Sequence, residues 1–177
     1  PVGGFGVAEI FSFHATKTFH TFEGGAATTN DEQLAARLRK MRNFGFSDFD
    51  HIDTIGTNAK LSEIHAAMGL TNLAVFDDTL IANAQSHDHY ANMLATFTGL
   101  TLRTPPDHVA SNHHYVVAEV DHDTFGLSRD NLLQILHAEN ILARRYFYPG
   151  THRCAPYAES NADAHLPVTE NLADRII

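Results

Sequence analysis

Lys17 is the residue around which chemistry can be built. It stands in Phe11-Ser12-Phe13-His14-Ala15-Thr16-Lys17, with Phe19 and Phe22 following and a Glu23-Gly24-Gly25 turn beyond. Phe11, Phe13, Phe19 and Phe22 close around a lysine would strip water from its amine, and desolvation disfavours the ammonium form. A neutral amine can attack a carbonyl and form a Schiff base. Ser12 and Thr16 bring hydroxyl donors near in sequence, and backbone amides around Gly24 and Gly25 can approach an anion without side-chain obstruction. These ingredients suit an aldehyde cofactor that carries a phosphate. The same residue types describe a solvated lysine on a surface loop, and taken alone they leave both readings open. With only Lys17, Lys40 and Lys60 in the chain, the search for a Schiff-base lysine is short.

The elements that must position Lys17 follow from periodicity. Glu9 to Phe13 alternates, with Phe11 and Phe13 on one side, and predicts a half-buried strand that delivers His14 to Lys17 into a loop at its end. Asn30 predicts a helix N-cap with Gln33 as its capping-box partner, and Leu34, Leu38 and Met41 recur on one face. Gly45 is the expected stop, and 46–55 reads as an exposed loop, with a lid or a subunit contact as the second reading. Helical spacing resumes at Ile64, Ala67 and Met68, and a longer run takes in Leu73, Phe76, Leu80, Ala84, His87, Ala91 and Leu94 before Thr98-Gly99 closes it. Thr104-Pro105-Pro106-Asp107 is the clearest punctuation. Beyond it, His114 to Val120 predicts a strand, Ser128 caps a helix through Leu132, Leu133 and Leu136, Ile141 to Tyr148 predicts another strand, and Val168 begins a last helix. Strand, helix and strand make an α/β layer.

Composition narrows the class. The chain has 177 residues, 44% of them hydrophobic, enough for a core. A formal net charge of -9 argues against a binder of nucleic-acid phosphates. The one basic run, Arg37-Leu38-Arg39-Lys40-Met41-Arg42, reads as a solvated helix face. No apolar run approaches the roughly 18 residues that a membrane-crossing helix needs. The single cysteine, Cys154, excludes an internal disulfide framework and suits a reducing compartment, so the expected location is cytoplasmic, away from membranes. Among the histidines, neither His87 with His89 nor His113 with His114 has the spacing of a zinc site, and no metal is expected.

The run from Pro1 to Asp31 resembles the lysine segment of the DegT/DnrJ/EryC1/StrS family of pyridoxal-phosphate-dependent sugar aminotransferases. The resemblance continues through Met41-Arg42-Asn43-Phe44-Gly45, through Gly56 to Ala67, and through Ala143 to Gly150, covering nearly the whole chain. It implies an α/β chain with part of the type I fold of pyridoxal-phosphate transferases: residues 1–98 as the end of the large cofactor domain with a long connecting helix, and 99–177 as most of the small C-terminal domain. It further implies an internal piece of a longer protein. The aspartate for the cofactor's pyridine nitrogen, a stacking aromatic and an amide-rich phosphate turn would precede Pro1, leaving this chain alone with little or no activity.

The resemblance also assigns roles. Lys17 would hold pyridoxal 5'-phosphate as a Schiff base and shuttle the proton, and Ser12 would hydrogen-bond the cofactor phosphate. Asn58 would reach the phosphate of the other subunit across a homodimer with shared active sites. Lys60, Tyr148 and His152 would face a nucleotide-linked keto sugar, with an amino acid such as glutamate as nitrogen donor. Each has a plain alternative: Asn58 as a turn residue, Lys60 as a surface lysine, Tyr148 to His152 as a strand end with a turn. His14 has no assigned role beyond a packed or hydrogen-bonded histidine. Two rival classes remain at this stage, a non-catalytic dimerisation piece and a related dehydratase, and the dehydratases carry histidine where Lys17 stands.

Overall fold

A computed structural model describes residues 2–177. The chain divides into two compact units, Pro1–Leu80 and Ile81–Ile177. The first begins with β1 (Glu9–Ser12) and β2 (Gly25–Thr28), antiparallel and in register from Glu9 opposite Thr28 to Ser12 opposite Gly25. Helix α1 (Glu32–Met41) follows, then a hairpin of β3 (Phe46–Asp48) and β4 (His51–Ile52), and α2 (Glu63–Ala74). Helix α3 (Phe76–Leu94) starts after a break at Val75.

Local chemistry explains these boundaries and corrects two expectations. Asp31, not Asn30, caps α1, because its carboxylate accepts from the amides of Gln33 and Leu34 at 2.9 and 3.0 Å. Thr29 Oγ1 accepts from the Asp31 amide at 3.0 Å and so fixes the approach. The expected loop 46–55 is instead the β3–β4 hairpin, because Asp48 Oδ1 takes the Phe49 amide at 2.7 Å, Ser47 Oγ donates to the His51 carbonyl at 3.2 Å, and Lys40 holds Asp53 at 2.6 Å. That ion pair keeps the Asp53 carboxyl below the usual carboxylate range. Gly45 closes the end of α1, its amide donating to the Lys40 carbonyl at 2.9 Å, and also borders the hairpin, where a Cβ would lie 1.8 Å from the Thr54 carbonyl oxygen.

Helix α2 meets the loop between β1 and β2 with almost no space. A Cβ on Gly69 would come within 2.9 Å of Thr21 Cγ2, so only glycine permits this approach. Thr21 is buried, Asn72 Nδ2 donates to the His20 carbonyl at 2.8 Å, and Phe19 packs edge-on against both Phe13 and Phe76 at 5.0 and 5.9 Å.

The second unit pairs β5 (Leu100–Leu102) with β6 (Ala118–Val120) and continues through α4 (His122–Phe125), α5 (Arg129–Ala138), a 3-10 turn (Thr151–Arg153), α6 (Ala155–Ala158) and α7 (Pro167–Arg175). Ala118, Val120 and Leu133 form its buried apolar centre. Ser128 caps α5 as expected, accepting from the Asn131 amide at 3.2 Å. Two strand expectations are corrected. Only Ala118–Val120 of the expected 114–120 strand is paired, since β5 offers three residues to pair with. Residues 141–148 are irregular, their amides being taken locally, as when Ile141 donates to Leu136 and Ala143 to Ile141. Arg129, buried at the start of α5, donates to the carbonyls of Ala173 and Ile176 at 2.7 and 2.8 Å and ties down the end of α7.

Candidate active site

Lys17 stands on a loop whose ends are drawn together by backbone bonds. Beyond the last strand pair, Phe13 N donates to Gly24 O at 2.9 Å and Thr21 N to Phe13 O at 3.0 Å. Thr21 Oγ1 donates to Glu23 O at 2.9 Å, and Lys17 N donates to His14 O at 2.9 Å, closing a tight turn that presents the lysine. Lys17 is half-buried, as are Phe13 and Phe19, which pack on each other, while Phe22 turns instead toward His20 and His65. The glycines answer to the loop's own packing: a Cβ on Gly25 would lie 2.7 Å from the Phe11 carbonyl oxygen, and one on Gly24 2.4 Å from the side-chain hydroxyl of Thr21.

Ser12 sits at the end of β1 with an exposed hydroxyl, approached only loosely by the His14 amide at 3.4 Å. Thr18, which the sequence reading passed over, has a buried hydroxyl with no hydrogen-bond partner in the described residues, one position from Lys17. Its sole sequence signal was its adjacency to the lysine.

Asn58 and Lys60 are brought together. Segment 57–59 is zipped onto the end of α1, with Thr57 N donating to Met41 O, Ala59 N to Arg42 O and Asn58 bridged to Asn43. Lys60 Nζ donates to Asn58 Oδ1 at 2.6 Å and lies 4.1 Å from the centre of the Phe44 ring. Asn58 keeps its amide hydrogens for another acceptor.

Tyr148 and His152 belong to the second unit. The Tyr148 ring is flanked by the guanidinium groups of Arg129 and Arg145 at 4.9 and 5.1 Å. His152 is buried, with Nε2 3.0 Å from Glu170 Oε1, and Arg153 donates to the same oxygen at 2.9 Å. His152 and Arg153 hold the Glu170 carboxyl below the usual carboxylate range. Tyr148, Pro149, Gly150, Arg153 and Glu170 line a shallow cleft of about 360 Å³, which His152 does not line. Glu170 and the arginines around Tyr148 were missed from sequence. The basic residues on either side of Tyr148 were the available signal. Among the described residues, no cluster of three or more histidine, cysteine or acidic side chains could hold a metal ion.

A loop that lifts one lysine between two short strands, joined to this Asn58–Lys60 segment, is matched as a whole: residues 1–177 fit the DegT/DnrJ/EryC1/StrS aminotransferase family. The chain belongs to that family. It is 41% identical over 144 residues to the dTDP-4-amino-4,6-dideoxy-D-glucose transaminase of Shigella dysenteriae, covering 81% of this chain and 39% of the relative. Among solved structures it is similar to DesI, crystallised in the presence of its TDP-sugar product, with a TM-score of 0.88 and 44% identity over 99% of this chain and 45% of DesI. It is also similar to Helicobacter pylori PseC, an aminotransferase involved in the biosynthesis of pseudoaminic acid, with a TM-score of 0.87 and 28% identity over 99% of this chain and 48% of PseC. The chain thus spans less than half the length of these relatives, and its fold is part of the type I fold of pyridoxal-phosphate-dependent aminotransferases. No helix of the described residues is long and apolar enough to cross a membrane.

The donor set fits the cofactor this family uses. A lysine amine suits an aldehyde, and the exposed Ser12 hydroxyl suits a phosphate. The orphaned Thr18 hydroxyl adds a polar group still lacking a partner.

Proposed function

We propose that this chain is the lysine-bearing part of a sugar aminotransferase that moves an amino group from an amino acid, glutamate first, to a nucleotide-linked keto sugar. The observation that carries this reading is Lys17 on its backbone-tied loop in a chain of this family. Pyridoxal 5'-phosphate, when bound, supplies an aldehyde that condenses with amines and a ring that draws electrons from the adjoining carbon. Lys17 Nζ would hold that aldehyde carbon at rest and, once displaced by the donor's amine, serve as the base that takes the proton from the donor's Cα. Ser12 donates to the cofactor phosphate, and Asn58 turns its free amide hydrogens to the phosphate in a partner subunit. Lys60, Tyr148 and His152 belong to the sugar-nucleotide side, with His152 acting from its buried position through Glu170 on the cleft beside Tyr148.

A dTDP-linked sugar is the first choice of substrate, on the strength of the names of the Shigella transaminase and of the TDP-sugar product of DesI. A cytoplasmic homodimer with shared sites completes the proposal, in the division 1–98 and 99–177. The test is absorbance titration of the chain with pyridoxal phosphate beside Lys17→Ala, followed by borohydride reduction and peptide mapping. A visible band lost in the variant, with the reduced adduct on Lys17, supports the reading. A band of equal strength in the variant, or an adduct elsewhere, overturns it.

A further inference from the structure

The loop that carries Lys17 ends in a side-chain pair for which the proposed function has no use. His14 Nδ1 lies 2.6 Å from Glu23 Oε1. The strand register runs from Glu9 opposite Thr28 to Ser12 opposite Gly25, and the Phe13 amide bonded to the Gly24 carbonyl continues it by one pair. The ladder goes no further, since the Phe13 carbonyl accepts from the Thr21 amide, and His14 meets Glu23 just beyond it through side chains alone. We propose that this pair is a clasp that closes the Lys17 loop and makes His14 a positioning residue for the lysine amine, an inference that rests on the cofactor reading of Lys17.

Three observations support the clasp. First, His14 is bonded at both its backbone and its side chain: its carbonyl accepts from the Lys17 amide at 2.9 Å while its ring meets Glu23. The residue that closes the Lys17 turn is thus also the one that reaches Glu23. Second, Glu23 is held from the other side, since its carbonyl accepts the Thr21 hydroxyl at 2.9 Å and Thr21 is buried under α2. The clasp thus joins the lysine turn to the rigid side of the loop. Third, the His14 amide lies 3.4 Å from the hydroxyl of Ser12, the expected phosphate donor.

The side chains of His14 and Glu23 are 50% and 67% exposed, and exposed ion pairs are ordinarily weak because two mobile side chains must be immobilised together. Here the bond from the Phe13 amide to the Gly24 carbonyl, one residue inside the pair, already draws the two segments together. The loop between the clasped residues, 15–22, then has little freedom left to lose.

The test is a double-mutant cycle of His14→Ala, Glu23→Ala and the pair, in the full 177-residue chain. The chain is exposed to excess pyridoxal phosphate, reduced with borohydride at timed intervals and digested, and the adduct on Lys17 is compared with those on Lys40 and Lys60 as internal controls. Each single change should slow capture at Lys17 by about fivefold, with the double variant no slower than either and the controls unchanged. No slowing, or a double variant slowed by the product of the two single effects, overturns the clasp. If the unaltered chain shows no preference for Lys17 over the controls, the cofactor reading fails. The clasp is then judged by hydrogen exchange of the Lys17 and Thr21 amides in the same cycle. Exchange about tenfold faster in each single variant, and no faster in the double, supports it, whereas unchanged exchange overturns it.

Discussion

The lysine loop and the Tyr148–His152 segment are the two regions for which function is proposed, and they are fixed by different forces. The lysine loop is held by main-chain bonds and by glycines at close approach, with the His14–Glu23 side-chain pair at its neck. The Tyr148–His152 segment has neither strand nor helix around Tyr148. It is held by charge, with His152 and Arg153 gathered on Glu170 and with Arg129 and Arg145 on the Tyr148 ring. A site that must deliver one atom to one place gains from backbone restraint. A surface that must accommodate a large polar ligand can be set by side chains that exchange partners.

Shape should therefore break the first region and charge the second. The largest effect is expected for Gly25→Val. Its Cβ would meet the Phe11 carbonyl oxygen, a backbone atom that no rotamer change can move aside, and the predicted loss is about 3 kcal/mol or more of stability. Urea unfolding followed by hydrogen exchange should show that loss in β1 and β2, with α5 and α7 retaining their protection. Equal loss in both sets would mean that the two regions do not differ in this way.

The second prediction concerns acid. The folded state holds the Glu170 carboxyl below its ordinary value, so the unfolded chain binds this proton more readily than the folded one. The contribution to stability is complete above the ordinary carboxylate range and is lost as pH falls through the depressed value. Glu170→Gln should accordingly melt below the unaltered chain at pH 7, with the gap closing toward pH 3. A gap that stays constant with pH would overturn the assignment. Asp121, held low by the Thr124 hydroxyl first, is present in both proteins and cancels in the difference.

The smallest effect should come from Ser128→Ala, which removes a cap that neither region depends on directly. It should cost about 1 kcal/mol, measured as a lowered urea midpoint with an unchanged slope. A larger loss would show that α5 anchors the Tyr148 surface through Arg129, its first residue.

What could be read in the sequence follows the same division. The cap at Ser128 and the face of α3 were legible because caps and helical spacing are local, whereas on α2 Ile64 and Ala67 of the expected face are exposed and Gly69 is the buried residue. Asn30 and Asp31 are both good caps standing side by side, and the choice was made by Thr29, whose hydroxyl takes the Asp31 amide. Residues 141–148 have the aromatic and branched composition of a strand, but composition does not supply a partner, and the structure gives them none. The cluster on Glu170 draws on positions 152, 153 and 170, and the Tyr148 flank on 129 and 145, so no window of sequence contains either.

The contact of Gly69 with Thr21 has a mechanical consequence. Where two elements touch through flexible side chains, a shift in one is absorbed by rotation in the other. Here backbone bears on a buried threonine, with no side chain on Gly69 to take up slack. Helix α2, which starts at Glu63, three positions beyond Lys60, is thereby seated without slack on the loop that bears Lys17.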